Sequence, residues 1–171
     1  MLWITHKRTA VEYISSAVFR YLYPNSTIMS FTPQKLEGRT YTLCGKIFQL
    51  YTIEGFSFDE PLDITGGKGI YSFSKCIAKV DSIVNNGNSW MKCNHSLVYL
   101  GKSDDFDDRP HNHDKFPKIS EYKPNFLALY TCGENEDPKK VESEILANYF
   151  FSVNEKENKD IGNRKTTVLE D

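Results

Sequence analysis

The sequence has little of what usually classifies a chain at sight. It uses only 4 cysteines, at positions 44, 76, 93 and 132, with no close C-x-x-C pair. Met1–Arg8 has no basic segment leading into an apolar run. These two absences exclude a disulfide framework of the secreted kind and predict reduced thiols in a cytoplasmic, unsecreted chain. Cys76, Cys93 and His95 could share a zinc ion, but their spacing matches no common zinc pattern, so scattered structural cysteines are the expectation. No apolar run approaches the roughly 18 residues that a membrane span needs. Charge of one sign is also lacking: Lys plus Arg is 21, Asp plus Glu is 23, and the net charge is -2. That excludes a uniformly basic histone-like binder and leaves room for a local basic face. What is present is apolar material, 39% hydrophobic and 13% aromatic over 171 residues. This suffices for one domain with one core and is too apolar for wholesale disorder.

Periodicity divides the chain coarsely. Thr9 and Glu12 fit a capping box, and Val11, Ile14, Val18 and Leu22 follow at helical spacing. Tyr41, Leu43, Ile47, Tyr51 and Ile53 alternate as a strand does, with Gly45 as a bulge or turn. Gly69–Phe73 reads as a strand. Ser74 can cap a helix from Lys75 to Val84, and a long hairpin turning at Asn86-Gly87 competes with that reading. Ser96–Leu100 is a second core strand, followed by a short helix opened by Asp104 and Asp105 and limited by Pro110. Asn125–Thr131 is a third strand. Asp137 then caps a helix with Pro138 at its first position and Val141, Ile145 and Tyr149 on its buried face. Residues 154–171 are polar, and the expectation there is a loosely ordered tail.

Polar residues gather at the ends of these elements. Tyr71 and Tyr99 stand on successive core strands, Arg109 and His113 four apart after the second, Glu142 early in the last helix and Asn154 beyond it. Taken singly, each has an ordinary reading. The tyrosines suit a core. Arg109 sits among Asp104, Asp105, Asp107 and Asp108 and suits surface pairing. Glu142 with Lys139 or Lys140 suits a solvated helix face. Taken together they suit phosphodiester hydrolysis: a carboxylate for a divalent metal, an arginine for phosphate charge, and a tyrosine or histidine to move protons.

In their order these residues resemble the GIY-YIG endonucleases. The two tripeptides read Gly69-Ile70-Tyr71 and Tyr99-Leu100-Gly101. The second block continues with Ser103, Phe106, Arg109 and His113 at the family's spacing. The third reads Glu142, Ile145, Leu146, Tyr149, Phe151 and Asn154. Three departures stand out: residues 72–98 between the tripeptides, Pro110 after the arginine, and Phe151 where the family has proline.

The resemblance implies an α+β fold with a small, mostly antiparallel central sheet flanked by helices. It implies a nuclease domain over residues 65–155 with an insert at about 74–95, preceded by an N-terminal extension (1–64) packed on it and followed by the tail (156–171). It also implies an endonuclease cutting DNA, restriction-type or phage-type, whose Glu142 binds one Mg2+ or Mn2+. Catalytic roles then fall to Tyr71, Tyr99, Arg109, His113, Glu142 and Asn154. A tyrosine, with its pKa of about 10, is a poor base unless a cation or relay assists it. Tyr71, Tyr99 and Lys102 all remain open for that step, and Lys102 and Ser103 are assigned to the substrate. Lys75, Lys79, Lys92, Lys115, Lys118 and Lys123 supply charge for a DNA duplex. With one active site, cutting both strands implies a homodimer or two encounters. The alternative is a binding or interaction module with weakened catalysis.

Overall fold

The computed structural model describes residues 30–58, 62–82, 90–106, 114–154 and 161–171. These residues form strands β1 (Gln34–Leu43), β2 (Lys46–Thr52), β3 (Gly69–Ser82), β4 (Trp90–Ser103), β5 (Phe126–Thr131) and β6 (Thr167–Leu169). Helix α1 (Phe116–Glu121) precedes β5, and helix α2 (Pro138–Asn148) follows it. The strands form one sheet in the order β1-β2-β5-β3-β4-β6, with every neighbouring pair antiparallel.

This corrects the expected fold class. The protein is mostly strand, a curled six-stranded half-barrel, and not a small sheet flanked by helices. The residues expected to form a helix from Lys75 belong instead to β3, which pairs with β4 as far as Ser82↔Trp90. Their apolar residues fit either period, so sequence alone cannot decide between helix and strand. Pairing with β4 decides it, in favour of the competing hairpin. The expected helix at 9–22 lies outside the described residues.

Local chemistry accounts for the elements. Cys44 (φ 49°) and Gly45 (φ 73°) form the two-residue link between β1 and β2. Two positive φ values suit the right-handed twist of a tight hairpin. β2 pairs with β5, so this hairpin is continuous with the central strands. Asp137 caps α2 by accepting from the Lys139 N–H at 2.9 Å, with Pro138 in the first turn. Among the described residues of the polar C-terminal segment, β6 pairs with β4 over Asn94–Ser96. The Asp171 N–H donates to the Thr40 carbonyl at 2.9 Å, which brings β1 to the same seam.

Two apolar clusters flank the sheet. One draws on all six strands and lies inside the curl, with Tyr41, Phe48, Leu50, Ile70, Leu97 and Leu100 at its centre. Val141, Ile145 and Leu146 of α2 join this cluster. The other contains Tyr71, Phe73, Val98, Tyr99, Leu127 and Leu129, covered by Leu62, Ile64, Phe106, Phe116 and Ile119. No helix among the described residues is long and apolar enough to cross a membrane.

Candidate functional site

The two tripeptides pair directly. Tyr71 lies opposite Gly101 and Phe73 opposite Tyr99 in the β3–β4 register. Directly opposed residues of an antiparallel pair share a face. Tyr71, Phe73, Tyr99, Gly101 and Ser103 therefore face one way, and Ile70, Ser72, Leu100 and Lys102 the other. The Tyr71 and Tyr99 ring centroids are 6.0 Å apart. The Tyr71 ring lies so close over Gly101 that a Cβ there would meet its Cζ at 2.4 Å and its hydroxyl at 2.5 Å. A Cβ on Gly69 would meet the Tyr130 carbonyl oxygen at 2.2 Å. Both glycines are required by close approach rather than by a special φ.

Asn154 reaches the same hairpin from its edge. Its Oδ1 accepts from the Leu100 N–H at 2.9 Å, and its Nδ2 donates to the Leu100 carbonyl at 2.8 Å. The Val153 N–H donates to the Val98 carbonyl at 2.8 Å. The amide of Asn154 thus serves β4 as a strand partner beyond the end of β6. Ser103 is buried, and its hydroxyl donates to the Asp105 carbonyl and accepts from the Asp105 N–H. These bonds commit the Ser103 hydroxyl to the turn after β4.

The remaining expected site residues are placed less compactly. Lys102 is half-buried and faces away from the tyrosines by strand alternation. Glu142 is half-buried near the start of α2, whose apolar face packs with Ile70 and Leu100. The sheet therefore lies between that helix and the Tyr71–Tyr99 pair. Arg109 and His113 lie outside the described residues. Glu142 offers one carboxylate, and Mg2+ accepts one carboxylate when waters and phosphate oxygens complete its shell.

A second polar centre escaped the sequence reading. Inside the curl, Ser74 Oγ lies 3.0 Å from His95 Nδ1, and His95 Nε2 lies 2.8 Å from Glu170 Oε1. Arg39 closes the chain with Nη2 at 2.6 Å from Glu170 Oε1 and Nε at 3.2 Å from Oε2. Ser74 and His95 are fully buried, and Glu170 is 5% exposed. Burial works to raise the Glu170 pKa, but hydrogen bonds from His95 and Arg39 prevail and hold it below the ordinary carboxylate value. Tyr41 and Phe126 pack edge-on to the imidazole, at 5.5 and 4.8 Å between centroids. The hydroxyls of Tyr41 and Ser72 are buried beside this centre, and the Tyr41 hydroxyl faces those of Ser72 and Ser74. Hydroxyl, imidazole and carboxylate stand in the order of a nucleophile triad, yet the hydroxyl is sealed from any substrate. The arrangement is a structural relay.

Cys76 and Cys93 form a disulfide beside the relay, with a Cα–Cα distance of 5.5 Å. This overturns the expectation of four reduced thiols; Cys44 and Cys132 are free. A separation of 17 gives no close-pair signal, but the β3–β4 hairpin brings the two together. Cys93, His95 and Glu170 place a sulfur, a nitrogen and an oxygen within 4.8 Å of one another. The partnership of Glu170 with His95 had no sequence signal, because it joins a tail residue to a strand 75 positions earlier.

No known protein family, curated protein or solved structure matches this chain.

Proposed function

We propose that the chain is a metal-dependent endonuclease hydrolysing phosphodiester bonds in double-stranded DNA, of a restriction or phage type. The observation that carries this reading is the register of β3 on β4, which sets Tyr71 on Gly101 and brings the Tyr99 ring beside it. In this reading Tyr71 or Tyr99 helps to take the proton of the attacking water. Arg109 contacts the non-bridging phosphate oxygens, where a planar guanidinium offers paired donors, and His113 relays the proton. Asn154 acts as a positioning residue, because both of its amide groups hold the Leu100 backbone. Glu142 would hold Mg2+ or Mn2+, which when bound neutralises charge on the leaving oxygen.

Cleavage of supercoiled plasmid by the wild type and by Glu142→Ala, each with Mg2+ or with EDTA, tests this. Nicking or linearisation is expected from the wild type with Mg2+ alone. Equal cleavage by both proteins, or cleavage that survives EDTA, overturns it.

A second reading is a nucleic-acid-binding or interaction module without efficient cleavage. The position of α2 favours it, since the sheet separates that helix from the tyrosine face. So does the far half of the β3–β4 hairpin, which runs beyond its pairing with β5 and carries Lys75, Lys79 and Lys92 with exposed Ile77 and Met91. DNA retarded on a gel, with a steep loss on adding salt and no cleavage with either metal, selects this reading.

A further inference from the structure

We propose that reduction of the Cys76–Cys93 disulfide creates a zinc site from Cys76, Cys93, His95 and Glu170. This inference is independent of the nuclease proposal and uses none of its residues. The donors come from three parts of the chain that the sheet brings to one seam. Cys76 on β3 lies opposite His95 on β4 in register. Cys93 and His95 are two apart on β4, and both are buried. Glu170 follows β6, and its N–H donates to the Cys93 carbonyl at 3.1 Å, which fixes its approach.

The chemistry balances in both redox states. Two thiols of an external reductant, such as glutathione, give two electrons and two protons. The S–S bond breaks, Cys76 and Cys93 become thiols, and the reductant leaves as its own disulfide. Zn2+ then replaces the two thiol protons, because the thiolate is the ligand. Two thiolates, one imidazole and one carboxylate make a four-coordinate set of the kind zinc accepts, and too soft a set for Mg2+.

Charge explains why Arg39 does not exclude the ion. In the disulfide form the Glu170 carboxylate is matched by the Arg39 guanidinium at 2.6 Å. In the zinc form two thiolates and one carboxylate against Zn2+ leave one negative charge. Arg39, whose Nη2 lies 3.6 Å from Cys93 Sγ, matches that charge too. The buried centre is electroneutral both ways, as burial demands. Ser74 Oγ, 3.0 Å from His95 Nδ1, is the outer partner that a metal-bound imidazole needs. A hydroxyl both donates and accepts, so it serves either tautomer.

The test uses the untagged chain of 171 residues. One sample keeps its disulfide. The other is reduced with a phosphine, which gives the same two thiols while an oxygen from water ends on phosphorus. Each is mixed with zinc chloride, gel-filtered, and assayed for zinc by mass spectrometry. The reduced protein is expected to retain about one zinc per chain, and the oxidised protein at least about tenfold less. Cys93→Ser and Glu170→Gln should lose the reduced-state zinc, whereas Cys44→Ser with Cys132→Ser should keep it. Cobalt added to the reduced wild type should give thiolate-to-metal absorption and tetrahedral bands, a readout that does not depend on any variant folding. A reduced wild type without zinc overturns the proposal. So does full zinc in folded Cys93→Ser, or a cobalt spectrum lacking thiolate character.

Discussion

His95 Nε2 lies 2.8 Å from Glu170 Oε1, across 75 residues of sequence. The contact ties the C-terminal segment to β4 at the seam where the half-barrel turns back on itself. Glu170 also meets Arg39 of β1, so one carboxylate holds both edges of the curl. Its loss would leave a buried imidazole without its acceptor and a guanidinium without its counter-charge.

Glu170→Ala should therefore destabilise the fold by about 3 kcal/mol, the scale for removing one partner of a buried pair. Urea denaturation at neutral pH measures it. The sign of the pH dependence follows from the lowered Glu170 pKa. The stabilisation is complete above the unfolded carboxylate pKa and is lost as pH falls through the lower folded value. The gap between wild type and variant should shrink on acidification. A gap below about 0.5 kcal/mol at neutral pH would show that the seam does not depend on this carboxylate.

Much of the sheet was legible because its signals are local. Alternation marked β2 and only the end of β1, at Tyr41–Leu43, while the mostly polar residues 34–40 of β1 gave no strand signal. A short apolar run marked β5, and Asp137-Pro138 marked the start of α2. The hairpin over residues 75–98 was harder, since the residues of its first half fit a helical period as well as a strand. The relay was beyond reach for another reason. His95 stood out only as a conceivable zinc ligand with Cys76 and Cys93. Arg39, Ser74 and Glu170 are unremarkable in their segments, and only sheet closure makes the four neighbours. The tyrosine pair was legible as a pattern of two tripeptides. The position of Glu142 relative to that pair was not, since it depends on which face of the sheet α2 covers.

Gly101→Ala should disturb the hairpin through Tyr71. The added methyl meets the Tyr71 ring at 2.4 Å, and that ring is already packed among Phe73, Tyr99 and Phe106. Overpacking of this kind costs about 1–3 kcal/mol. In a Tyr71→Ala background the same substitution should cost far less. A double-mutant cycle by chemical denaturation reads the coupling directly. Equal costs in both backgrounds would mean that Gly101 is needed for some reason other than the ring.

Asn154→Ala should remove both partners of the Leu100 backbone at the edge of β4. Leaving a buried donor or acceptor unpaired costs about 1–3 kcal/mol. Asn154→Asp keeps the acceptor but sets a carboxylate oxygen against the Leu100 carbonyl, so it should be no better than alanine. Hydrogen exchange at the Leu100 amide locates the effect: protection should fall there before it falls in β2. Unchanged protection in both variants would remove Asn154 from any positioning role.

Glu136 offers the sharpest pH test, because its partners are all identified. It accepts from the Lys46 ammonium, the Tyr130 hydroxyl at 2.6 Å and the Gly133 N–H at 2.9 Å. The hydrogen bonds from Lys46, Tyr130 and Gly133, in that order, lower its pKa from 4.5 to about 2. The folded pKa lies below the unfolded one, so the carboxylate stabilises the fold fully above pH 4.5 and progressively less as pH falls toward about 2. These three bonds join β2, β5 and the loop into α2, so the loss should be felt at the start of that helix. Glu136→Gln cannot ionise and should remove this pH dependence. The melting temperatures of wild type and variant should therefore differ at neutral pH and converge across that acid window. A carboxyl carbon titration by NMR checks the cause separately, with a midpoint near 2 expected for Glu136. An ordinary midpoint near 4.5, with parallel melting curves, would mean that the Lys46 contact does not hold in solution.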